Sequence, residues 1–233
     1  MNTIVSRLPA ERRFYVSAAV GITVVVLAGF SVDVDLLHSM SRLTTLVRLH
    51  GAVMLAWIAL FVTQTVLIAR WRVDWHRRLG IFGAALAAAV LITGSATSIV
   101  ASRLGGEHLP SGMPPQLFLA RSLFLLLAFA ILVSSAIALR GESGWHKRLM
   151  LLATIVLLDA ALARFINVYT NWDLDPAIAR DLFVILCVAI DTWRYRRLHP
   201  AFLAGALLLF VMDPLATWVA ASSTWVRFCT WLV

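Results

Sequence analysis

The sequence predicts an all-α integral membrane protein, a bundle of seven transmembrane helices with a cytoplasmic amino terminus. Three observations carry this reading. The 233 residues are 61% hydrophobic and 14% charged, with a mean hydropathy of +0.87, whereas soluble chains run at about 45–50% and about 25%. The apolar residues gather into seven runs of roughly 17–25 residues, the length that crosses about 30 Å of hydrocarbon at about 1.5 Å per residue. Finally, 13 of the 20 Lys and Arg residues fall in four segments, 7–13, 70–78, 140–148 and 194–197, which are the amino terminus and every second loop.

That alternation sets the orientation. Basic loops stay on the cytoplasmic side, and the opposite loops hold Asp33, Asp35, Glu107, Asp173 and Asp175. The net charge of +8 therefore reads as topology and as attraction to anionic inner-leaflet headgroups, not as nucleic-acid binding. Trp71, Trp75, Trp145 and Trp193 form the expected inner aromatic belt, and Trp172, Trp218 and Trp225 the outer one. Nineteen of the 20 cations are Arg, a bias that points to a GC-rich bacterial genome and so to a bacterial inner membrane.

The first run, 14–30, follows Arg12 and Arg13 as a signal peptide would. It is long and lacks a small-x-small cleavage signature before the acidic 31–35 segment, so it reads as a retained helix. The second run, 46–69, opens near Arg48 and His50 and ends at Arg70. A basic turn, Trp75-His76-Arg77-Arg78-Leu79, leads into the third run, 79–101. Gly80, Gly83, Ala84, Ala87, Ala88 and Gly94 in that run are expected to let neighbours approach closely and to place the helix centrally. The link over 102–116 is rich in Gly and Pro and is expected to cap an outer cavity.

The fourth run, 117–139, carries Arg121 and ends at Arg140. Trp145-His146-Lys147-Arg148-Leu149, 70 residues after the first basic turn, opens the fifth run, 149–166, which holds Asp159 and Arg164. The sixth run, 177–193, holds Asp181 and Cys187. A looser third copy of the turn, Tyr195-Arg196-Arg197-Leu198-His199-Pro200, opens the seventh run, 201–221, with Asp213. The repeats define three cytoplasmic hairpins, helices 2–3, 4–5 and 6–7, within one domain spanning 1–233. Cys187 and Cys229 lie at different depths and are expected not to pair.

Two constellations are candidates for chemistry. His76, His146 and His199 share one depth at the inner face, where imidazoles hold haem iron or contact lipid phosphate; haem b is the cofactor this admits. His50, Arg121, Asp159, Arg164, Asp181 and Asp213 form the second, in the outer half of the helices. Ionisable groups there cost at least about 2.5–3.5 kcal/mol, so they face inward and pair. The expected pairs join Asp159 or Asp213 to Arg164 and Arg121, around a polar cavity with His50 at its edge. Carboxylates and His suit proton or cation handling, while Arg suits an anionic or quinone oxygen. Interhelical salt bridges that only lock the bundle are the plainer alternative.

Thr63, Gln64 and Thr65, with Thr93, Ser95, Thr97 and Ser98, are expected to make backbone or interhelical hydrogen bonds. The chain has no phosphate-binding Gly-rich loop, no H-E-x-x-H, no H-x-x-x-H zinc pair and no G-x-S-x-G. A retinal-binding reading fails because the only lysine, Lys147, lies at a helix end.

The residues His50, His76-Arg77-Arg78-Leu79-Gly80 and His146-Lys147-Arg148-Leu149-Met150 with Arg164 resemble a family of polytopic bacterial membrane proteins, domain of unknown function 2306. The resemblance covers about 48–164, with Lys147 standing where that pattern has Arg. It implies importance for those His residues and Arg164 without assigning them a task. The functional expectation is a redox-associated (quinone or haem) or small-molecule- or lipid-binding membrane protein. An accessory subunit packing against a larger membrane complex is a second expectation. A small-solute or proton transporter ranks below both, because no helix pair broken by Gly or Pro at matching points stands out in the sequence.

Overall fold

A computed structural model of the chain describes residues 10–31, 45–105, 109, 113–170 and 174–232, and among these every regular element is helical. In chain order they are α1 (Ala10–Ser31), α2 (Thr45–Ala69), α3 (Val73–Leu104), α4 (Pro115–Ala138), α5 (Ser143–Tyr169), α6 (Pro176–Tyr195), α7 (Pro200–Ala220) and α8 (Ser223–Leu232). Six of them, α1 to α5 and α7, are long and apolar enough to cross a membrane. The remaining long helix, α6, has 20 residues but carries Arg180, Asp181, Asp191 and Arg194. Arg7, Asp33, Asp35, Glu107, Trp172 and Asp173 and most of the 106–112 link lie outside the described residues.

Local chemistry sets the helix starts. Pro115, Pro176 and Pro200 each occupy a first-turn position, where the missing N–H has no helical acceptor to lose. Asp175 and His199 cap the last two, accepting from the amides of Ala177 and Ala201. Trp71 adopts φ 62 in the tight α2–α3 turn, and the Arg12 guanidinium lies 3.2 Å above its ring. Beyond residue 222 the chain forms α8, tied to the bundle by Trp225 Nε1 donating to the Gln116 carbonyl at 2.9 Å.

Each hairpin packs on itself, α2 on α3, α4 on α5 and α6 on α7. Contacts at the helix ends bring the three basic turns to one end of the bundle, hereafter the hinge end. There Arg12 donates to the Ala69 carbonyl, Lys147 pairs with Glu11, and Trp145 packs edge-on against His199 at 5.8 Å. The opposite end, the far end, joins Arg103 to the Leu232 carbonyl and Trp225 to α4.

The central helix is α5, not α3. Leu151, Leu152, Ala153, Thr154, Ile155 and Val156 are all buried, packed among α4, α6, α7 and α1. By contrast α3 contacts α2 and α4 and exposes Ile81, Phe82 and Ile92. Its small residues permit close approach without compelling it: nothing lies against Gly80, while Gly94 fits under Leu126. Large aliphatic side chains on every face of α5 gain more from burial than a small-residue stripe can.

α5 is not continuous. Its first half, Ser143–Ile155, passes through a 3-10 turn at Val156–Leu158 before the second half, Asp159–Tyr169. α7 contains Pro214, which has no N–H to donate to the carbonyl of Phe210. Helix irregularities therefore occur in two of the long helices, one just before Asp159 and the other just after Asp213.

Candidate functional site

At the far end, three helices meet at one guanidinium. Arg180 of α6 is completely excluded from solvent, and each of its three side-chain nitrogens donates to a carboxylate. Nη1 donates to Asp159 of α5 at 3.0 Å, Nη2 to Asp213 of α7 at 2.5 Å, and Nε and Nη2 to its neighbour Asp181 at 3.0 and 2.8 Å. Arg121 of α4 extends the network. Its Nη2 donates to Asp175 at 2.6 Å, and its Nε lies 3.4 Å from the second oxygen of Asp213 without hydrogen-bond alignment.

Among the described residues the cluster thus holds two guanidinium groups and four carboxylates, Asp159, Asp175, Asp181 and Asp213. Fully ionised, it carries two negative charges in excess. Such an excess between apolar helices is costly unless a proton, a cation or water balances it. Asp159 Oδ1 is also buried, with no hydrogen-bond partner among the described residues. The cluster is not sealed: the side chains of Asp175, Asp181, Asp159 and Arg121 keep 39%, 28%, 22% and 20% of their exposure. At its rim, burial alone would raise the Asp175 carboxyl, but Arg121 and the Ala177 amide hold it below the ordinary carboxylate value.

Several expectations require correction. Arg164 does not bridge the carboxylates: its guanidinium lies 4.7 Å from the Phe30 ring centre and donates to the Ala160 carbonyl. Arg180 takes that part instead. Asp159 sits at the start of the second half of α5, and Arg164 is five residues further along, about 100° apart per residue, on another face. His50 is not in the cluster either, because its Nδ1 pairs with Thr93 Oγ1 of α3 at 3.2 Å. Asp159, Asp213, Asp181 and Arg121 do come together.

The hinge end has its own buried charges. Arg148, grouped from sequence with the lipid-facing basic turn, is buried and forms a bidentate pair with Asp191 of α6 at 2.8 to 2.9 Å. The rings of Tyr195 and Phe202 flank its guanidinium at 5.2 and 5.6 Å. His76 and His146 approach edge-on, with ring centres 6.0 Å apart, and His146 Nδ1 is 2.8 Å from the Ala136 carbonyl. His199 is not with them: it caps α7 and packs on Trp145. Burial and the nearby Arg148 charge lower the affinity of His199 for a proton.

Among the described residues, no group of three His, Cys, Asp or Glu side chains is arranged to hold a metal ion. Cys187 and Cys229 are both free thiols, as expected. Thr63, Thr65, Thr93 and Ser98 bond to carbonyls one turn earlier, as expected, whereas Gln64 Oε1 and the Thr97 hydroxyl are buried without a partner among the described residues.

Arg180 and Asp191, central to the two ionic sites, were missed in the sequence. A signal was present. On α6 the residues Ala177, Arg180, Val184, Cys187 and Asp191 recur at three- and four-residue spacing and form its buried face. No family model, curated protein or solved structure matches this chain, so its architecture and its two ionic sites have to speak for its function.

Proposed function

We propose that this chain is a seven-span bacterial inner-membrane protein, amino terminus inside, whose far-end cluster binds a proton or a small cation in the outer half of the bilayer. The observation that carries the reading is the imbalance around Arg180: four carboxylates share two guanidinium groups, and one buried carboxylate oxygen lacks a partner. A site built for an anion or a quinone oxygen would keep Arg donors free; the three nitrogens of Arg180 all donate to carboxylates, while Nε of Arg121 lacks an aligned acceptor. This moves the balance from quinone or lipid-headgroup binding toward the transport class. The 3-10 interruption of α5 beside Asp159 supports the same direction, since broken helices commonly frame ion sites in transporters.

α6 counts as the seventh span because Arg180, Asp181 and Asp191 are all paired, so its charges need not face lipid. The basic turns gathered at one end support the orientation and contact with anionic headgroups. Kinship with the domain of unknown function 2306 rests on the His50, His76–Gly80 and His146–Met150 motifs with Arg164. Haem b between His76 and His146 has the support of their approach and of the Ala136 carbonyl that orients one imidazole.

A second reading has a specific observation behind it: saturation of Arg180 also suits a clasp that only locks α5, α6 and α7. Proton and sodium uptake by the purified protein separates the two, using a pH-indicator dye and radiolabelled sodium. Asp159→Asn and Asp213→Asn should each abolish uptake while the protein still elutes as a folded species. Unchanged uptake, or the absence of any uptake in the parent protein, leaves the clasp.

A further inference from the structure

We propose that the bound positive charge crosses the bundle along α6 between two gates, the Arg180 cluster and the buried Arg148–Asp191 pair. The proposal rests on the cation-binding reading above and extends it from binding to translocation.

Both gates lie on one helix face. Arg180, Val184, Cys187 and Asp191 recur at three- and four-residue spacing along the buried side of α6. Eleven residues separate Arg180 from Asp191, a rise of about 16 Å, so the two sites stand about half the hydrocarbon thickness apart. Val184 and Cys187 between them are buried.

The two sites differ as an open and a closed gate should. The far-end cluster has excess negative charge and partly exposed carboxylates. The hinge-end pair is balanced and dry, with side-chain exposures of 4% and 1%. Around it stand Glu11 and Tyr15 of α1, Lys147 of α5, Tyr195 of α6 and, at the start of α7, His199. The Tyr15 hydroxyl is buried there without a partner. This is the arrangement of an outward-open state with its inner gate shut.

The means of exchange lies in α5. Its first half carries Arg148, the inner partner of α6, and its second half carries Asp159, the outer partner. The 3-10 turn at Val156–Leu158 falls between the two, and such turns within a helix commonly mark hinges. Bending there lets one half of α5 leave α6 while the other stays. Neutralising Asp159 or Asp213 by a proton or cation weakens the hold on Arg180, which couples occupancy of the outer site to that motion. The same charge chemistry fits a proton or a small monovalent ion.

Cys187, one turn from Asp191 on the shared face, is the reporter. In a Cys229→Ser background it is the only thiol, and a membrane-impermeant maleimide can be applied to vesicles of either orientation. Proteoliposomes of the full chain are assayed in parallel, with an internal pH dye for protons and radiolabelled sodium for the ion. The parent should show flux of one of the two and little labelling of Cys187 from the hinge side. Asp191→Asn should raise hinge-side labelling at least tenfold. Should that variant not fold, Asp191→Glu, which keeps the charge but displaces it, should change flux several-fold while leaving uptake at the far-end cluster unaltered.

Hinge-side labelling unchanged in a folded Asp191→Asn protein overturns the inner gate, as does parental flux in Asp191→Glu. Uptake by the parent without flux of either species overturns translocation and leaves the binding site standing. Uptake insensitive to Asp159→Asn and Asp213→Asn removes the binding reading and the path with it.

Discussion

Arg180 Nη1 lies 3.0 Å from Asp159 Oδ2, joining α6 to the second half of α5 across 21 residues of sequence. The same guanidinium holds Asp213 of α7, so one side chain ties three helices together. Removing it leaves three carboxylates facing one another with Arg121, beside Asp213, as the remaining cation among the described residues. Arg180→Leu is expected to cost about 3–5 kcal/mol, the range for stripping one partner from a buried pair. Arg180→Lys should recover only part of this, because an ammonium lacks the fork that bridges several carboxylates. Unfolding in mild detergent followed by helical signal measures both, and equal stability of Arg180→Leu and parent would refute the arrangement.

The Arg148–Asp191 pair gives a sharper comparison. Either single change, Arg148→Met or Asp191→Leu, is expected to destabilise by about 3–5 kcal/mol by leaving an unpaired buried charge. The double variant should recover most of that loss, since apolar replacements of a buried ion pair are often neutral. A double-mutant cycle reads the coupling. Additive losses would mean that the two side chains do not act as a pair.

Packing of α1 depends on one glycine. A methyl at Gly29 would meet the backbone carbonyl of Ala161 well inside van der Waals contact, and backbone cannot yield as a side chain end can. Gly29→Ala should therefore destabilise by about 1–3 kcal/mol, separating α1 from the second half of α5. Gly80→Ala, which adds its methyl into open space, should be neutral or mildly stabilising. Thermal midpoints of the two variants test the contrast.

Acid should act at the helix caps. His199 binds its proton less readily in the folded protein than its ordinary value of 6.5, owing to burial and Arg148. The folded state therefore holds fewer protons than the unfolded chain. Its contribution is fully present above about pH 6.5 and is lost as pH falls through the lower folded value. Asp175 follows the same sign from 3.8 downward, because Arg121 and the Ala177 amide outweigh burial and hold its carboxyl low. His199→Asn, which keeps a capping acceptor, should flatten the stability profile near pH 6. Arg121→Gln should remove part of the acid sensitivity below pH 4. Midpoints collected from pH 3 to 8 check both.

Some of the candidate site was legible before the fold was known. Asp159, Asp181, Asp213 and Arg121 stand out as charges inside apolar runs, and the cost of burying a charge is enough to predict that they pair. Partner identity was not legible. Arg164 is nearer Asp159 along the chain, yet the α5 turn aims it at Phe30, and Arg180 reaches Asp159 only because α6 packs beside the second half of α5. Arg148 was hidden for a related reason. A cation in a basic turn looks like a headgroup contact until a carboxylate such as Asp191 is found opposite it on another helix.

By itself the sequence determined an all-helical membrane protein, the near positions of its long helices and the repeated Trp-His-basic turns. These follow from hydropathy, length and local capping, which are properties of short stretches of chain. Tertiary structure alone decided that α5 is central, that it is broken just before Asp159, and that α6 carries both ionic sites on its buried face. Which cation meets which carboxylate depends on helix rotation and on neighbours distant in sequence, and a low dielectric makes that choice costly to get wrong.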